Sequence, residues 1–348
     1  MTDESAMTVP KTVLVTGGSG YIAGETIRQL LARGWTVHTT VRSLARETKL
    51  RAELGGTPET LRFFTADLMD DAGWAEAVAG CSHVAHVASP FPLGVPNDEN
   101  ELIVPAREGT LRALRHAHAA GVTRFVQTSS AAAIAYGHPA GKTLFDESDW
   151  TRLETPGVAP YVKSKTIAER AARDWVAENA PDMVFCSVNP VAVFGPVASD
   201  DLSTSVEVVK KLIDGSIPML PNMGIGVVDV RDVAKMHVLA LEAADNTVRG
   251  ERFAASAEFM WVKDMAATLR EALGPQARKV PTRMMPEFVA RLLALFMPEM
   301  KIVRAEGGKV RDVSGRHACA VLGFEYITAR QSVIDTAISL IGRGIVKV

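Results

Sequence analysis

Cysteine is scarce in this sequence, and its three copies lie far apart. They are Cys81, Cys186 and Cys319 among 348 residues, with no CxxC pair and no Cys/His ligand spacing. Three widely separated cysteines favour neither a disulfide framework nor a zinc site. The sequence therefore predicts reduced thiols, a cytoplasmic location and no bound metal.

A strong charge of either sign is also lacking, and so are long apolar runs. The formal net charge is −2, so no basic field favours nucleic acid or an anionic membrane surface. No apolar run reaches the ~18 residues of a membrane span. Residues 1–10 lack the basic and apolar regions of a signal peptide. We expect no nucleic-acid partner, no membrane partner and a disordered tail over residues 1–10.

The sequence does contain an alternation of strand-like and helix-like segments. Hydrophobic residues make up 47% and charged residues 22%, which is typical of a soluble globular protein with a sizeable core. Strands are predicted at residues 12–16, 35–41, 61–65, 83–87, 125–128 and 183–188, and helices at 22–33, 102–120 and 161–179. This alternation predicts an α/β fold, with a Rossmann-type, doubly wound parallel sheet.

The pattern loosens after Pro190, where a smaller, mostly helical C-terminal substrate cap is predicted. The dinucleotide-binding domain is expected to contain residues 11–190 plus about 226–257, and the substrate-binding cap about 191–225 plus 258–348. Ligands of parallel α/β folds lie beyond the carboxyl ends of the strands. A cap placed there would close a substrate cleft.

A glycine-rich turn joins the first predicted strand to the first helix. Gly17 and Gly20 stand three apart in this turn, and Ala23 is the next small residue. Small residues let the backbone approach a pyrophosphate, and the helix N-terminus offers N–H donors and a positive dipole. The turn predicts a bound dinucleotide, although an ordinary glycine-rich turn has the same pattern.

The end of the second strand distinguishes between the two nicotinamide cofactors. An acidic residue there would bind the ribose hydroxyls of NAD, but this chain has Arg42, followed by Arg46 and Lys49. An arginine can form a bidentate, charge-assisted pair with the 2′-phosphate of NADP. We therefore predict NADP(H), while Arg42 alone could also be a surface charge.

Three further strand ends are predicted to border the cofactor. Asp67 and Leu68 follow the third strand, where Asp67 would either bracket the adenine or cap a helix. A turn of small residues, with Ala88 and Ser89, ends the fourth strand, and Thr128 ends the fifth. Carboxyl ends of parallel strands lie along one edge of the sheet, so these residues are expected on the cofactor side.

Tyr161 and Lys165 are four residues apart and share one face of the following helix. A nearby ammonium favours a phenolate and would lower the pKa of Tyr161 from its usual value near ~10. Such a pair can donate a proton in carbonyl reduction. Ser130, beyond the fifth strand, could stabilise the developing negative charge on a carbonyl oxygen. The same spacing also occurs on ordinary solvated helix faces.

Taken together, these motifs resemble an extended short-chain dehydrogenase/reductase. The glycine turn, the catalytic pair and the catalytic serine match at Thr16-Gly17-Gly18-Ser19-Gly20-Tyr21-Ile22-Ala23, Tyr161-x-x-x-Lys165 and Ser130. Within that family the chain is most similar to the dihydroflavonol reductase, cinnamoyl-CoA reductase and methylglyoxal/aldehyde reductase branch. The segments that carry this likeness are His86-Val87-Ala88-Ser89-Pro90-Phe91, Pro105-Ala106-Arg107-Glu108-Gly109-Thr110, Asn189-Pro190-Val191-Ala192-Val193-Phe194-Gly195-Pro196 and Val228-Asp229-Val230-Arg231-Asp232-Val233-Ala234.

The resemblance implies NADPH-dependent reduction of an aldehyde or ketone, with a small-molecule carbonyl substrate and a monomer or homodimer. It implies that Arg42 binds the 2′-phosphate with either Arg46 or Lys49. The other positions that it assigns to the cofactor are Gly17, Ser19, Gly20, Tyr21, Ile22, Val87, Thr128, Lys165, Pro190, Val193 and Ser205. Two positions depart from the family pattern. Ala135 stands where dihydroflavonol reductases have asparagine, and Glu108 where many members have asparagine.

Two other kinds of protein share this pattern. Sugar-nucleotide dehydratases of the same fold need an acid pair after the catalytic hydroxyl, but alanines stand there, and the epimerases usually have an acidic second strand end. A non-catalytic dinucleotide-sensing protein typically loses the tyrosine or lysine, and this chain keeps both. The sequence therefore favours a reductase over either alternative.

Overall fold

The computed structural model of this chain describes residues 11–90 and 98–347. The tail predicted over residues 1–10 lies outside these ranges, and so does Phe91 of the segments quoted above. A seven-stranded parallel sheet forms the centre of the described part. The strands of this sheet and of two smaller sheets are β1 (Thr12–Val15), β2 (Thr36–Val41), β3 (Leu61–Thr65), β4 (His83–His86), β5 (Arg124–Thr128), β6 (Leu144–Phe145), β7 (Val184–Pro190), β8 (Ala192–Phe194), β9 (Gly224–Asp229), β10 (Arg252–Ala255), β11 (Glu258–Trp261) and β12 (Asp312–Val313).

The order of strands across the main sheet is β10-β7-β5-β4-β1-β2-β3, and every neighbouring pair is parallel. From β1 the chain proceeds through β2 and β3 to one side, and then from β4 onward to the other. The reversal between β1 and β4 is a topological switch point, which opens a crevice at the carboxyl ends of the strands. The predicted Rossmann-type parallel sheet is confirmed.

Helices join these strands, and most of the helices bury one face against the core. They are α1 (Tyr21–Ala32), α2 (Glu47–Leu54), α3 (Trp74–Val78), α4 (Asn100–Ala119), α5 (Pro160–Asn179), α6 (Thr204–Asp214), α7 (Val230–Glu242), α8 (Asp245–Val248), α9 (Val262–Leu273), α10 (Glu287–Leu293), α11 (Pro298–Glu306), α12 (Arg316–Leu322) and α13 (Ala329–Gly342). In α1, Ala23, Ile27 and Leu30 are buried at helical spacing. The helix ends where Gly34 adopts a φ of 79°, a left-handed conformation that favours glycine. None of the helices in the described ranges is long and apolar enough to cross a membrane.

A second buried cluster lies on elements that follow Pro190. Val206 and Leu212 of α6 pack in this cluster with Met265 of α9 and Val333 of α13. Strands β8, β9 and β11 form a three-stranded sheet in the same part of the chain. The predicted cap contains α6, α9, α13, β8 and β11, whereas most of β9 falls in the predicted dinucleotide-binding domain. The division between the two domains stays a prediction.

Candidate functional site

A cleft of about 670 Å³ opens at the carboxyl edge of the main sheet. Most of the site residues that the sequence predicts lie on its wall, although they come from eight separate segments of the chain. These residues are Gly17, Ser19, Gly20, Tyr21, Ile22, Arg42, Asp67, Leu68, Val87, Ala88, Ser89, Thr128, Ser130, Tyr161, Lys165, Pro190, Val193 and Ser205. The fold therefore brings the glycine turn and the Ser-Tyr-Lys set into one cleft.

The glycine turn is packed so tightly that side chains would not fit. Gly17 has a φ of 75°, and a Cβ there would lie 3.0 Å from the Cβ of Ala88. A Cβ on Gly18 would lie 2.2 Å from Oγ1 of Thr39. The N-terminus of α1 follows at Gly20, with no side chain capping its N–H groups. Bare backbone at a helix N-terminus beside a cleft is suited to a pyrophosphate.

A buried hydroxyl fixes the spacing between the two strands that flank the switch point. Oγ1 of Thr16 accepts hydrogen bonds from the backbone N–H groups of Val87 (3.0 Å) and Ala88 (2.9 Å). It also lies 3.1 Å from Nδ1 of His86. Burial lowers the pKa of His86 to about 3, so the ring is neutral and Nδ1 can accept the hydroxyl hydrogen. Thr16 thus joins the ends of β1 and β4, a role that the sequence alone does not reveal.

Of the three basic residues predicted for the 2′-phosphate, only Arg42 lines the cleft. Nη1 of Arg46 lies 2.9 Å from Oδ2 of Asp201, and Nζ of Lys49 lies 3.8 Å from Oε1 of Glu53. Neither Arg46 nor Lys49 therefore lines the cleft with Arg42 in this structure, and the choice between them at the 2′-phosphate stays a prediction. Asp201 is distant from Arg46 in the sequence, whereas Glu53 follows Lys49 by four residues on α2, the usual spacing of a helical ion pair.

Asp67 and Leu68 line the cleft, as Arg42 does. Oδ1 of Asp67 accepts a hydrogen bond of 2.8 Å from the N–H of Met69, so its carboxylate stabilises the turn after β3. Leu68 packs against Gly109 of α4, where an added Cβ would lie 2.9 Å from the Cβ of Leu68. The neighbouring Glu108, which departs from the family pattern, pairs with Nε of Arg107 at 2.8 Å.

Ser130, Tyr161 and Lys165 meet at the other end of the cleft. Helix α5 begins at Pro160, a residue that favours the first helical position, and this places Tyr161 in the first turn. Nζ of Lys165 lies 5.8 Å from the centre of the Tyr161 ring and donates a hydrogen bond of 2.8 Å to Oγ of Ser89. Oγ of Ser130 accepts a hydrogen bond of 3.1 Å from the N–H of Ala132.

The pKa of Tyr161 differs from the sequence-based prediction. Burial raises this pKa, and a hydrogen bond with Ser130 lowers it only in part. The expected lowering by Lys165 is not found: besides burial, the groups that shift this pKa are Ser130 and Tyr136. Burial lowers the pKa of Lys165 to about 8. Tyr161 is therefore protonated at neutral pH, which a proton donor requires.

Tyr136 lies near Tyr161, and Arg311 lies near Tyr136. The guanidinium of Arg311 lies 4.5 Å from the centre of the Tyr136 ring. The proximity of Tyr136 also raises the pKa of Tyr161. Ala135, where a dihydroflavonol reductase has asparagine, is buried. The sequence did not single out Tyr136 or Arg311, because neither belongs to a motif.

Among the described residues, no group of three or more His, Cys, Asp or Glu side chains could hold a metal ion. Cys81, Cys186 and Cys319 are free thiols. Burial raises the pKa of Cys81 and of Cys186 to about 12, so neither thiol is reactive at neutral pH. The cleft wall does carry a hydroxyl, a phenol and an ammonium group, those of Ser130, Tyr161 and Lys165.

Comparison with known proteins identifies the family. Residues 13–256 match the model of the NAD dependent epimerase/dehydratase family. A cinnamoyl-CoA reductase of Medicago truncatula is 40% identical over 255 residues, which are 70% of this chain and 76% of that protein. Cinnamoyl-CoA reductase 1 of Arabidopsis thaliana is 34% identical over 340 residues, 96% of this chain and 90% of that protein.

A solved structure extends the likeness across the whole fold. Yeast methylglyoxal/isovaleraldehyde reductase Gre2, complexed with NADPH, superposes with a TM-score of 0.79. It is 25% identical, and the match covers 96% of this chain and 99% of Gre2. The resemblance inferred from the motifs is confirmed. The chain belongs to the NAD dependent epimerase/dehydratase family, the extended short-chain dehydrogenases/reductases.

Proposed function

We propose that this protein is an NADPH-dependent reductase that converts an aldehyde or ketone to an alcohol. One observation carries the proposal: Ser130, Tyr161 and Lys165 line the same cleft as the glycine turn and Arg42. A carbonyl held by the hydroxyl groups would therefore lie at one end of a dinucleotide site. The reductase relatives and the NADPH complex of Gre2 support the same activity and cofactor.

The residues present fit the cofactor along the length of the cleft. The N-terminus of α1 would bind the pyrophosphate, and Arg42 would bind the 2′-phosphate. Lys165 of α5 and Ser89, which follows β4, would contact the nicotinamide ribose. NADPH, when bound, supplies the hydride, and the protein supplies positioning and electrostatics.

The protein's own groups act on the carbonyl oxygen. The hydroxyl of Ser130 donates a hydrogen bond that stabilises the developing negative charge. Tyr161 donates the proton that completes the alcohol. The Lys165 ammonium, held by Ser89, favours that proton transfer because a positive charge stabilises the phenolate which forms. A dehydratase reaction is disfavoured, since the residues after Ser130 are the buried alanines Ala131, Ala132 and Ala133.

A substrate panel tests the activity directly. Oxidation of NADPH and of NADH would be followed with aldehydes, α-dicarbonyls, aryl ketones and dihydroflavonols. We expect turnover with at least one carbonyl class and a preference for NADPH. Cofactor binding without turnover of any class would reject the reductase proposal and favour a sensing role.

Ser130→Ala is expected to lower kcat by about 10²–10³-fold, the usual cost of losing one donor to a developing oxyanion. The same hydroxyl accepts the N–H of Ala132, so the melting temperature would be measured beside kcat. Ser148→Ala is the matched control, because Ser148 lies in an exposed turn and bonds Asp146. A Ser130→Ala enzyme with the kcat of the control would exclude the proposed role.

A pH profile tests the charge of Lys165. Its pKa is lowered to about 8 by burial, so the ammonium form is lost as the pH rises through that value. We expect kcat/KM for NADPH to decrease over this range, because that parameter reports groups of the free enzyme. In Lys165→Arg the guanidinium stays charged, and the decrease should disappear even if the rate is lower. If kcat/KM for NADPH still decreased over the same pH range in Lys165→Arg, the decrease would be due to the titration of another group.

A further inference from the structure

A third residue on α5 shares the face that carries Tyr161 and Lys165. Glu169 follows Lys165 by four residues, as Lys165 follows Tyr161, so the three side chains form one stripe along the helix. The Glu169 side chain is completely buried. A buried carboxylate without partners is costly, so its surroundings must supply hydrogen bonds and positive charge.

The partners of Glu169 come from β7, from β10 and from the residue that follows β5. Its carboxylate accepts hydrogen bonds from Oγ of Ser129 (2.5 Å), Oγ of Ser187 (3.0 Å), Nδ2 of Asn189 (2.7 Å) and Nε of Arg252 (2.7 Å). Burial alone would raise the pKa of Glu169, but the guanidinium groups of Arg252 and Arg173 and the hydrogen bond from Ser129 together outweigh burial, and the pKa lies below its usual value. Glu169 is therefore an ionised group at the centre of a buried polar network.

The network reaches the segment that contains Ser130 at three points. Ser129 precedes Ser130 directly in the chain. Nδ2 of Asn189 donates to the backbone oxygen of Ser130 at 3.3 Å. Nη2 of Arg252 donates to the backbone oxygen of Ala133 at 3.2 Å. The tight turn over residues 130–133 is thus tied through one carboxylate to the helix that carries the proton donor.

We propose that Glu169 is a positioning residue, which holds the hydroxyl of Ser130 in register with the hydroxyl of Tyr161. The inference rests on the proposed function, in which both hydroxyls must bind one carbonyl oxygen. Ser130 follows a strand and Tyr161 begins a helix thirty-one residues later, so local structure cannot fix their distance. A buried, charged group that bonds both elements can fix this distance. A displacement of about 1 Å at such a site lowers the rate by up to ~10²-fold.

Two serines that donate to the same carboxylate provide a matched test. Ser129 adjoins Ser130, whereas the hydroxyl of Ser187 bonds Glu169, Asn189 and Arg173, none of which lies within residues 129–136. Both side chains are buried. Ser129→Ala and Ser187→Ala therefore remove the same chemical group from the same partner, and only the first loosens the Ser130 segment directly.

The first readout is hydrogen exchange of the backbone amides in residues 129–136. The amides of this segment are hydrogen-bonded, to Val188, within the turn and to Thr151, so exchange reports opening of the segment. We expect exchange to rise about tenfold in Ser129→Ala and to change less than about twofold in Ser187→Ala. Equal exchange in the two variants would overturn the proposal.

The second readout is steady-state kinetics. We expect kcat to fall about tenfold or more in Ser129→Ala with KM for NADPH unchanged, and Ser187→Ala to stay within about twofold of the parent protein. A fall in kcat of equal size in both variants would show a merely structural role. If the parent protein reduced no carbonyl, the proposed function would fail, whereas the exchange experiment would still decide whether Glu169 positions the segment.

Discussion

Tyr161→Phe is expected to lower kcat by about 10²–10⁴-fold, the range for loss of a positioned proton donor. The ring is retained, so packing of the first turn of α5 should be preserved. Its hydroxyl is replaced by hydrogen, so the alkoxide that forms at the carbonyl must take its proton from water. The affinity for NADPH should stay unchanged, because the glycine turn and Arg42 lie elsewhere in the cleft. Steady-state kinetics and a fluorescence titration with NADPH would measure both quantities.

Tyr326→Phe is the control for that experiment. The hydroxyl of Tyr326 is also largely buried, and it donates to the backbone oxygen of Ala254 at 3.1 Å, away from the cleft wall. We expect this variant to lose some stability and to keep its kcat. A Tyr161→Phe enzyme that turns over like the control would mean that another group donates the proton.

Arg42→Asp is expected to reverse the cofactor preference. The change would remove the proposed charge-assisted hydrogen bond to the 2′-phosphate, and a bond of this kind contributes about 1.5–3 kcal/mol. It would also place a carboxylate beside the phosphate. The same carboxylate can accept hydrogen bonds from the ribose hydroxyls of NADH. We expect the ratio of kcat/KM for NADPH to that for NADH to fall by roughly a hundredfold or more.

The control for Arg42→Asp carries the same change of charge at a distant place. Lys263→Asp alters an exposed residue in the first turn of α9, where an acidic side chain is tolerated by the helix dipole. We expect the cofactor ratio of this variant to equal that of the parent protein. If the ratio were unchanged in Arg42→Asp as well, the phosphate would be held by another part of the chain.

The sequence predicted the central strands because each contains apolar or β-branched residues, most of which become buried. The last strand of the sheet, β10, was not predicted. It begins at Arg252, a residue that is unusual in a buried strand, and the structure shows that Glu169 neutralises it. A charge whose partner lies eighty-three positions away in the sequence cannot be recognised as buried from its own neighbours. A local sequence pattern therefore could not predict this strand, because the pairing that allows its burial is tertiary.

In the site, too, features that depend on neighbouring residues were predictable, and features that depend on tertiary contacts were not. The glycine turn, Tyr161 and Lys165 were predictable, because each depends on residues that are close in sequence and on a local conformation. The link from Thr16 to His86, the network of Glu169 and the pair of Arg46 with Asp201 were not, since each joins distant segments. The pKa of Tyr161 was predicted with the wrong sign for the same reason: burial, a property of the whole fold, raises this pKa, and Lys165 does not lower it.

Transfer of deuterium from NADPH labelled at C4 of the nicotinamide tests the central claim most directly. The label would be followed into the product of a carbonyl found in the substrate panel, by mass spectrometry and NMR. We expect the parent protein to give an alcohol with deuterium at the carbinol carbon, and Tyr161→Phe, with the label bound, to give almost none. An unlabelled alcohol, or no alcohol from any carbonyl class while the cofactor is bound, would contradict hydride transfer at the Ser130, Tyr161 and Lys165 site.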